Sequence, residues 1–312
     1  MRLVNSRRGI ERLGLASAVL AMSLVLIGCG GSGTESSDAV VVTEPGANVS
    51  AAPSGAAASA APGTGASGTT AATSPAATPV KAEGWGTLKG QVVFGAAAPK
   101  QDVLVQQGAP DTKDPTVCAK DAPILSERLV VDEASKGVKN VLVYFNKPTA
   151  VNEEAKSAAS QAQVVFDQEK CVFEPHVLGM MAGTTITLKS SDPVNHNVNA
   201  RLKSNAQFNS LLAGGATLPF SPASPERQPA QVTCDIHPWM QAWWMVLDHP
   251  YFAVTDAQGN FEIKNAPAGS QKVVVWQEST SFVTSPQGED VVIAANETTT
   301  KDFTIDPGKV KK

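Results

Sequence analysis

From Trp85 onward, apolar and polar residues alternate in short runs bounded by Gly, Pro, Asn and Asp, the period-two pattern of strands rather than the wider spacing of helices. Leu88, Val92 and Phe94 fall on one face of such a run, with Gly90 and Gly95 punctuating it. A loop carrying Pro99, Pro110 and Pro115 follows, and then two β-branched runs over 127–132 and 139–145. Asn152 ahead of Glu153 and Glu154 predicts a helix N-cap with acidic residues in the first turn, and so one short helix. Strands are expected at 184–189 and 241–247. The stretch 251–263 predicts a hairpin turning at Asp256–Gly259. Asn265–Gly269 turns again into the valine-rich run 271–276, and 290–293 and 301–305 supply the last strands before a charged tail, 307–312. The pattern predicts an all-β protein.

The chain ahead of Trp85 is of a different kind. Residues 30–84 are almost entirely Ala, Gly, Ser, Thr and Pro, too poor in large apolar side chains to fold. A tether of that composition spans roughly 40 Å root-mean-square, at about 5 to 6 Å times the square root of its length. Residues 1–28 read as an export signal: Arg2, Arg7, Arg8 and Arg12 precede the apolar run 13–27, which is shorter than the ~20 residues a spanning helix needs. The ending Leu26-Ile-Gly-Cys29 resembles a bacterial lipobox, which implies a lipidated Cys29 and a protein anchored on the periplasmic side of the cell envelope. Gly30 after the cysteine points to the outer rather than the inner membrane. An uncleaved membrane anchor is the alternative. Removing 1–28 takes away four Arg and one Glu and moves the net charge from −4 to −7, which argues against a nucleic-acid partner.

The chemistry concentrates in Cys234-Asp-Ile-His237-Pro-Trp-Met240, a thiol, an imidazole and a thioether within seven residues. Copper suits that donor set, since two histidines and a cysteine with a weak axial methionine form the blue-copper geometry. A second histidine is available at His196, just after the strand-like run 184–189. Residues 162–248 resemble the cupredoxin family, and the two-residue gap between His237 and Met240 is similar to the short ligand loop of amicyanin. The resemblance implies one type 1 copper site with His196, Cys234 and His237 as equatorial ligands and Met240 as the axial one. It also implies that Asn197 braces the ligand loops, and that Pro238 and Trp239, with Met180 and Met181 beside them, flank a near-surface histidine as a docking patch for a redox partner such as a cytochrome or dehydrogenase.

Export places the four cysteines in an oxidising compartment. With Cys29 assigned to lipid and Cys234 to metal, Cys118 and Cys171 remain and are expected to pair as a disulfide. A second metal site drawing on Cys171, His176 or His249 is the alternative.

The hairpin at 251–263, the Pro267 and Gly269 turn and the strand at 271–276 resemble a carboxypeptidase-regulatory-like β-sandwich, whose usual aromatic after the glycine is replaced by Gln271. Its opening strands resemble 86–92 and 138–144, which lie before the cupredoxin-like stretch. The expected architecture is therefore a Greek-key cupredoxin sandwich at 162–248 inserted into a second antiparallel sandwich made of 85–161 and 249–306, with two tandem domains as the alternative. No motif argues for an enzyme. The two functional expectations are a lipid-anchored electron carrier and a copper-holding or metal-free structural module.

Overall fold

The computed structural model describes residues 83–311. The expected signal, the lipidated Cys29 and nearly all of the tether lie outside the described residues. Among those described, no helix is long and apolar enough to cross a membrane.

Among the described residues the fold is all-β with one α-helix, Glu153–Ser160, and a closing 3-10 turn, Pro307–Lys309. Asn152 caps the helix as its position predicts, its Oδ1 accepting from Ala155 N–H at 2.9 Å. Four sheets carry the structure. In the first, Trp85–Phe94 lies between Asn260–Pro267, antiparallel to it, and the parallel strands Thr298–Thr300 and Phe303–Ile305. In the second, Leu142–Phe145 lies between Phe252–Val254 and Gly269–Gln277, and Glu289–Ile293 pairs with the latter. The third orders Thr217–Phe220, Ile186–Ser190, Val164–Glu169 and Val172–Glu174. The fourth orders Phe208–Leu212, His196–Ala200, Ala230–Thr233, Gln241–Leu247 and Val177–Met181. Strands from 85–145 and 252–305 thus pair with one another, and strands from 164–247 pair among themselves.

Side-chain alternation sorts these sheets into layers. Leu88, Val92, Val143, Phe145, Val273 and Val275 fill a core between the first two sheets. Phe166, Leu188, Val198, Val232, Trp244 and Val246 fill one between the other two. The opposite faces of the second and fourth sheets meet in a third core: Leu142, Tyr144, Val274 and Trp276 from one, Val177, Met245 and Leu247 from the other. Successive side chains of a strand point to opposite faces, so a strand buried on both sides reads as a continuous apolar run. Leu142–Phe145 is of this kind, with every residue buried.

The expected hairpin at 251–263 is corrected. The turn forms, with Gly259 N–H donating to Asp256 O and the Asp256 carboxylate accepting from Gln258 and Asn260 N–H. Its flanks part, however. Phe252–Val254 joins the second sheet and Asn260–Pro267 the first, so the segment is a crossover between layers that face each other across a core.

Candidate metal centre

His196 begins the strand His196–Ala200, whose neighbour Ala230–Thr233 runs directly into Cys234. The loop from Cys234 then closes on itself. Met240 N–H donates to His237 O at 2.9 Å, and Cys234 N–H donates to Met240 O at 3.3 Å, where the strand Gln241–Leu247 starts. Two paired strands and a seven-residue loop therefore bring the four sequence-predicted residues to one end of the sheet, and all four are buried.

One ligand atom each from His196, Cys234 and His237 lies within 4.8 Å of the other two. The imidazole rings stand 4.6 Å apart between centroids. Each histidine is held from behind by a carboxylate: Asp192 Oδ2 accepts from His196 Nε2–H at 3.0 Å, and Asp114 Oδ2 accepts from His237 Nε2–H at 2.9 Å. His237 Nδ1 is thereby left facing the Cys234 sulfur at 3.8 Å. His196 Nδ1 is buried with no hydrogen-bond partner. The sulfur also receives Asn197 N–H at 3.5 Å. An orphaned buried nitrogen beside a thiol and a second inward-facing nitrogen fits a metal cage. Met240, 1% exposed, packs in the same core.

The electrostatics of the metal-free site set a thiolate beside a charged imidazole. Burial acts to raise the Cys234 thiol, but the two histidines and the backbone N–H groups of Asn197 and His237 outweigh it and bring the pKa down to about 6. Burial likewise opposes the charged form of His196, yet the Asp192 hydrogen bond and the Cys234 sulfur raise its pKa to about 9. The site favours a thiolate, which is the form that ligates metal.

Asn197 forms the brace expected of it. Its Oδ1 accepts from Asp235 N–H at 2.6 Å, while its Nδ2 donates to Asn209 Oδ1 and Asp235 Oδ2, both at 2.8 Å. Asn199 and Asn209 also donate to the Asp235 carboxylate.

Cys118 and Cys171 form the expected disulfide. Two further groupings, Cys118 with Cys171 and His237, and Cys171 with Asp192 and His196, also come together, but a disulfide sulfur is no thiolate. The alternative second site is not assembled among the described residues. His176 Nε2 is 2.6 Å from Glu278, and His249 is fixed between Phe145 O and Tyr251 N–H. Pro238 is exposed and Trp239 half-buried, its indole N–H donating to Cys171 O at 3.0 Å. His237, which the resemblance places near the surface, is fully buried, as are Met180 and Met181. Sequence reasoning missed Asp114 and Asp192. Asp192, four residues before His196, carried a local signal; Asp114, 123 positions from His237, carried none.

No family model and no curated protein matches the chain. Its neighbours among solved structures are cupredoxins at low identity and partial coverage. A Cu-containing nitrite reductase from Thermus scotoductus is 21% identical over 28% of this chain, with a TM-score of 0.26. The chain spans 22% of that enzyme's length. A purple cupredoxin from Nitrosopumilus maritimus is 21% identical over 27% of this chain and 100% of its own, with a TM-score of 0.24. A reduced Cu(I) form of an amicyanin mutant is 18% identical over 29% of this chain and 88% of its own, with a TM-score of 0.25.

Proposed function

We propose that this protein is a type 1 copper protein that carries single electrons at the cell envelope, tethered through Cys29. The observation that carries the reading is the buried convergence of His196, Cys234 and His237 on one another, with both Nε2 atoms taken by carboxylates and the His196 Nδ1 left over. His196, Cys234 and His237 would hold the metal with Met240 as a weaker fourth donor. Copper, when bound, supplies reversible one-electron oxidation and reduction. The residues do the rest. Asp192 and Asp114 fix the imidazole rings by their outer nitrogens, and Asn197 ties the loop after Cys234 to the strand bearing His196. The surrounding core excludes water. Donors fixed on paired strands change little when charge changes, which suits fast exchange with a redox partner.

The test is spectroscopic. The folded domain loaded with Cu(II) should be blue from thiolate-to-copper charge transfer, and Cys234→Ser should abolish the colour while the β-rich fold persists. A colourless protein with one bound Cu(II) would sink the reading, and a blue one that could not be reduced and reoxidised would leave a copper-holding module.

A further inference from the structure

Asp114 reaches the metal centre from outside the strands that build it. Its segment, between Val103–Val105 and Ile124–Leu125, folds across His237 and places one carboxylate oxygen 2.9 Å from Nε2. The side chain of His237 is 0% exposed and that of Asp114 is 28% exposed. The carboxylate therefore lies at the boundary between the ring and solvent. The backbone at Asp114 has φ 52, a left-handed conformation that non-glycine residues rarely adopt and that surrounding structure must hold in place.

That structure is identifiable. The Asp114 carbonyl accepts from both Val117 and Cys118 N–H at 2.9 Å, and Cys118 is bonded to Cys171. Cys171 N–H donates to Asp192 Oδ2 at 2.8 Å, the oxygen that also receives His196 Nε2–H, and Cys171 O accepts from the indole of Trp239. One disulfide thus ties together the two aspartates that hold the two histidines.

We propose that Asp114 is a positioning residue of the metal centre: stapled by Cys118–Cys171, it orients His237 through Nε2 toward the Cys234 sulfur and closes the outer edge of that ring. The proposal rests on the copper reading above for its effect on metal, though not for the contact itself. Carboxylates behind metal-bound histidines fix the tautomer and raise ligand basicity, and removing one typically costs about 10- to 100-fold in metal affinity. A negative charge beside the site also favours Cu(II) over Cu(I), so it lowers the reduction potential.

The experiment uses Asp114→Ala and the near-isosteric Asp114→Asn. In metal-free, ¹⁵N-histidine-labelled protein, the His237 Nε2–H should exchange slowly in the wild type and rapidly in Asp114→Ala, while Asn, still an acceptor, keeps it protected. In the copper-loaded protein, Asp114→Ala should release metal to a chelator about 10- to 100-fold faster. Asp114→Asn, having lost only the charge, should show a raised potential with an intact visible spectrum. Fast Nε2–H exchange already in the wild type would overturn the contact. Unchanged release and potential in both variants would overturn the positioning role. A wild type that takes up no copper would instead remove the functional reading, and the metal-free exchange measurement would still decide whether Asp114 holds the ring.

Discussion

Removing the Cys118–Cys171 bridge is the perturbation whose size the structure fixes best. The cysteines are 53 residues apart, and the closed loop contains the only α-helix among the described residues, Leu142–Phe145 of the second sheet and Val164–Glu169 of the third. Cross-linking a loop of that length removes chain entropy from the unfolded state worth about 4 kcal/mol at 25 °C. Both residues are fully buried, so Cys118→Ala with Cys171→Ala adds a small void rather than relieving one. For a domain of this size the loss should lower the midpoint of thermal unfolding by about 8 to 16 °C. Equilibrium unfolding in urea, followed by tryptophan fluorescence, measures it directly, because Trp244 is 0% exposed in the core beside the site. A loss below about 1 kcal/mol would refute the reasoning, since neither the entropy of the unfolded chain nor the anchoring of the Asp114 segment could then depend on the bridge.

Two further outcomes follow from buried polar groups. Burial holds His249 below its ordinary pKa of 6.5, and its neutral ring is matched to its surroundings, Nε2–H donating to Phe145 O and Nδ1 accepting from Tyr251 N–H. Its contribution is therefore complete above the unfolded-state pKa and is lost as pH falls below about 6.5 toward the lowered folded value, at up to about 1.4 kcal/mol per pH unit. Urea titrations between pH 7 and 5 should show a shallower decline for His249→Gln than for the wild type, and equal slopes would exclude the residue. Asn197→Ala should destabilise the protein by about 1 to 3 kcal/mol by stripping Asp235 N–H of its acceptor; a urea midpoint unchanged from wild type would mean that the loop is held elsewhere.

The convergence of His196, Cys234 and His237 was legible in the sequence for a physical reason. A loop between two paired strands compresses Cys234, His237 and Met240 into seven residues, and His196 sits at the start of the adjoining strand. The helix cap was equally local. What escaped was long-range. Alternation and turn residues identify the turn at Asp256–Gly259, but they do not say which sheet each flank will join, and the two flanks join different ones. The unbroken burial of Leu142–Phe145 is what a strand between two cores produces, yet four apolar residues in a row are ambiguous without knowing what lies on either side. Asp114 was invisible for the same reason: its role exists only once the chain has crossed from the first sheets to the last.

The middle core gives the second sheet a part in holding the loop from Cys234 to Met240. The strand Gln241–Leu247 begins at the residue after Met240, and its side chains are divided between two cores, Trp244 and Val246 on the inner side, Met245 and Leu247 on the other. Near its start Gln241 donates to Glu278, which also bonds His176, and the ring of Trp243 lies 5.1 Å from that of Trp276. The end of the ligand loop is therefore clamped from the side of the second sheet as well as by its own. A strand buried on one face could bend when the charge at Cys234 changed; one packed on both faces has no low-energy direction in which to move, because close-packed interiors resist displacement. The first two sheets then act as a buttress that keeps the end of the loop from Cys234 to Met240 in place.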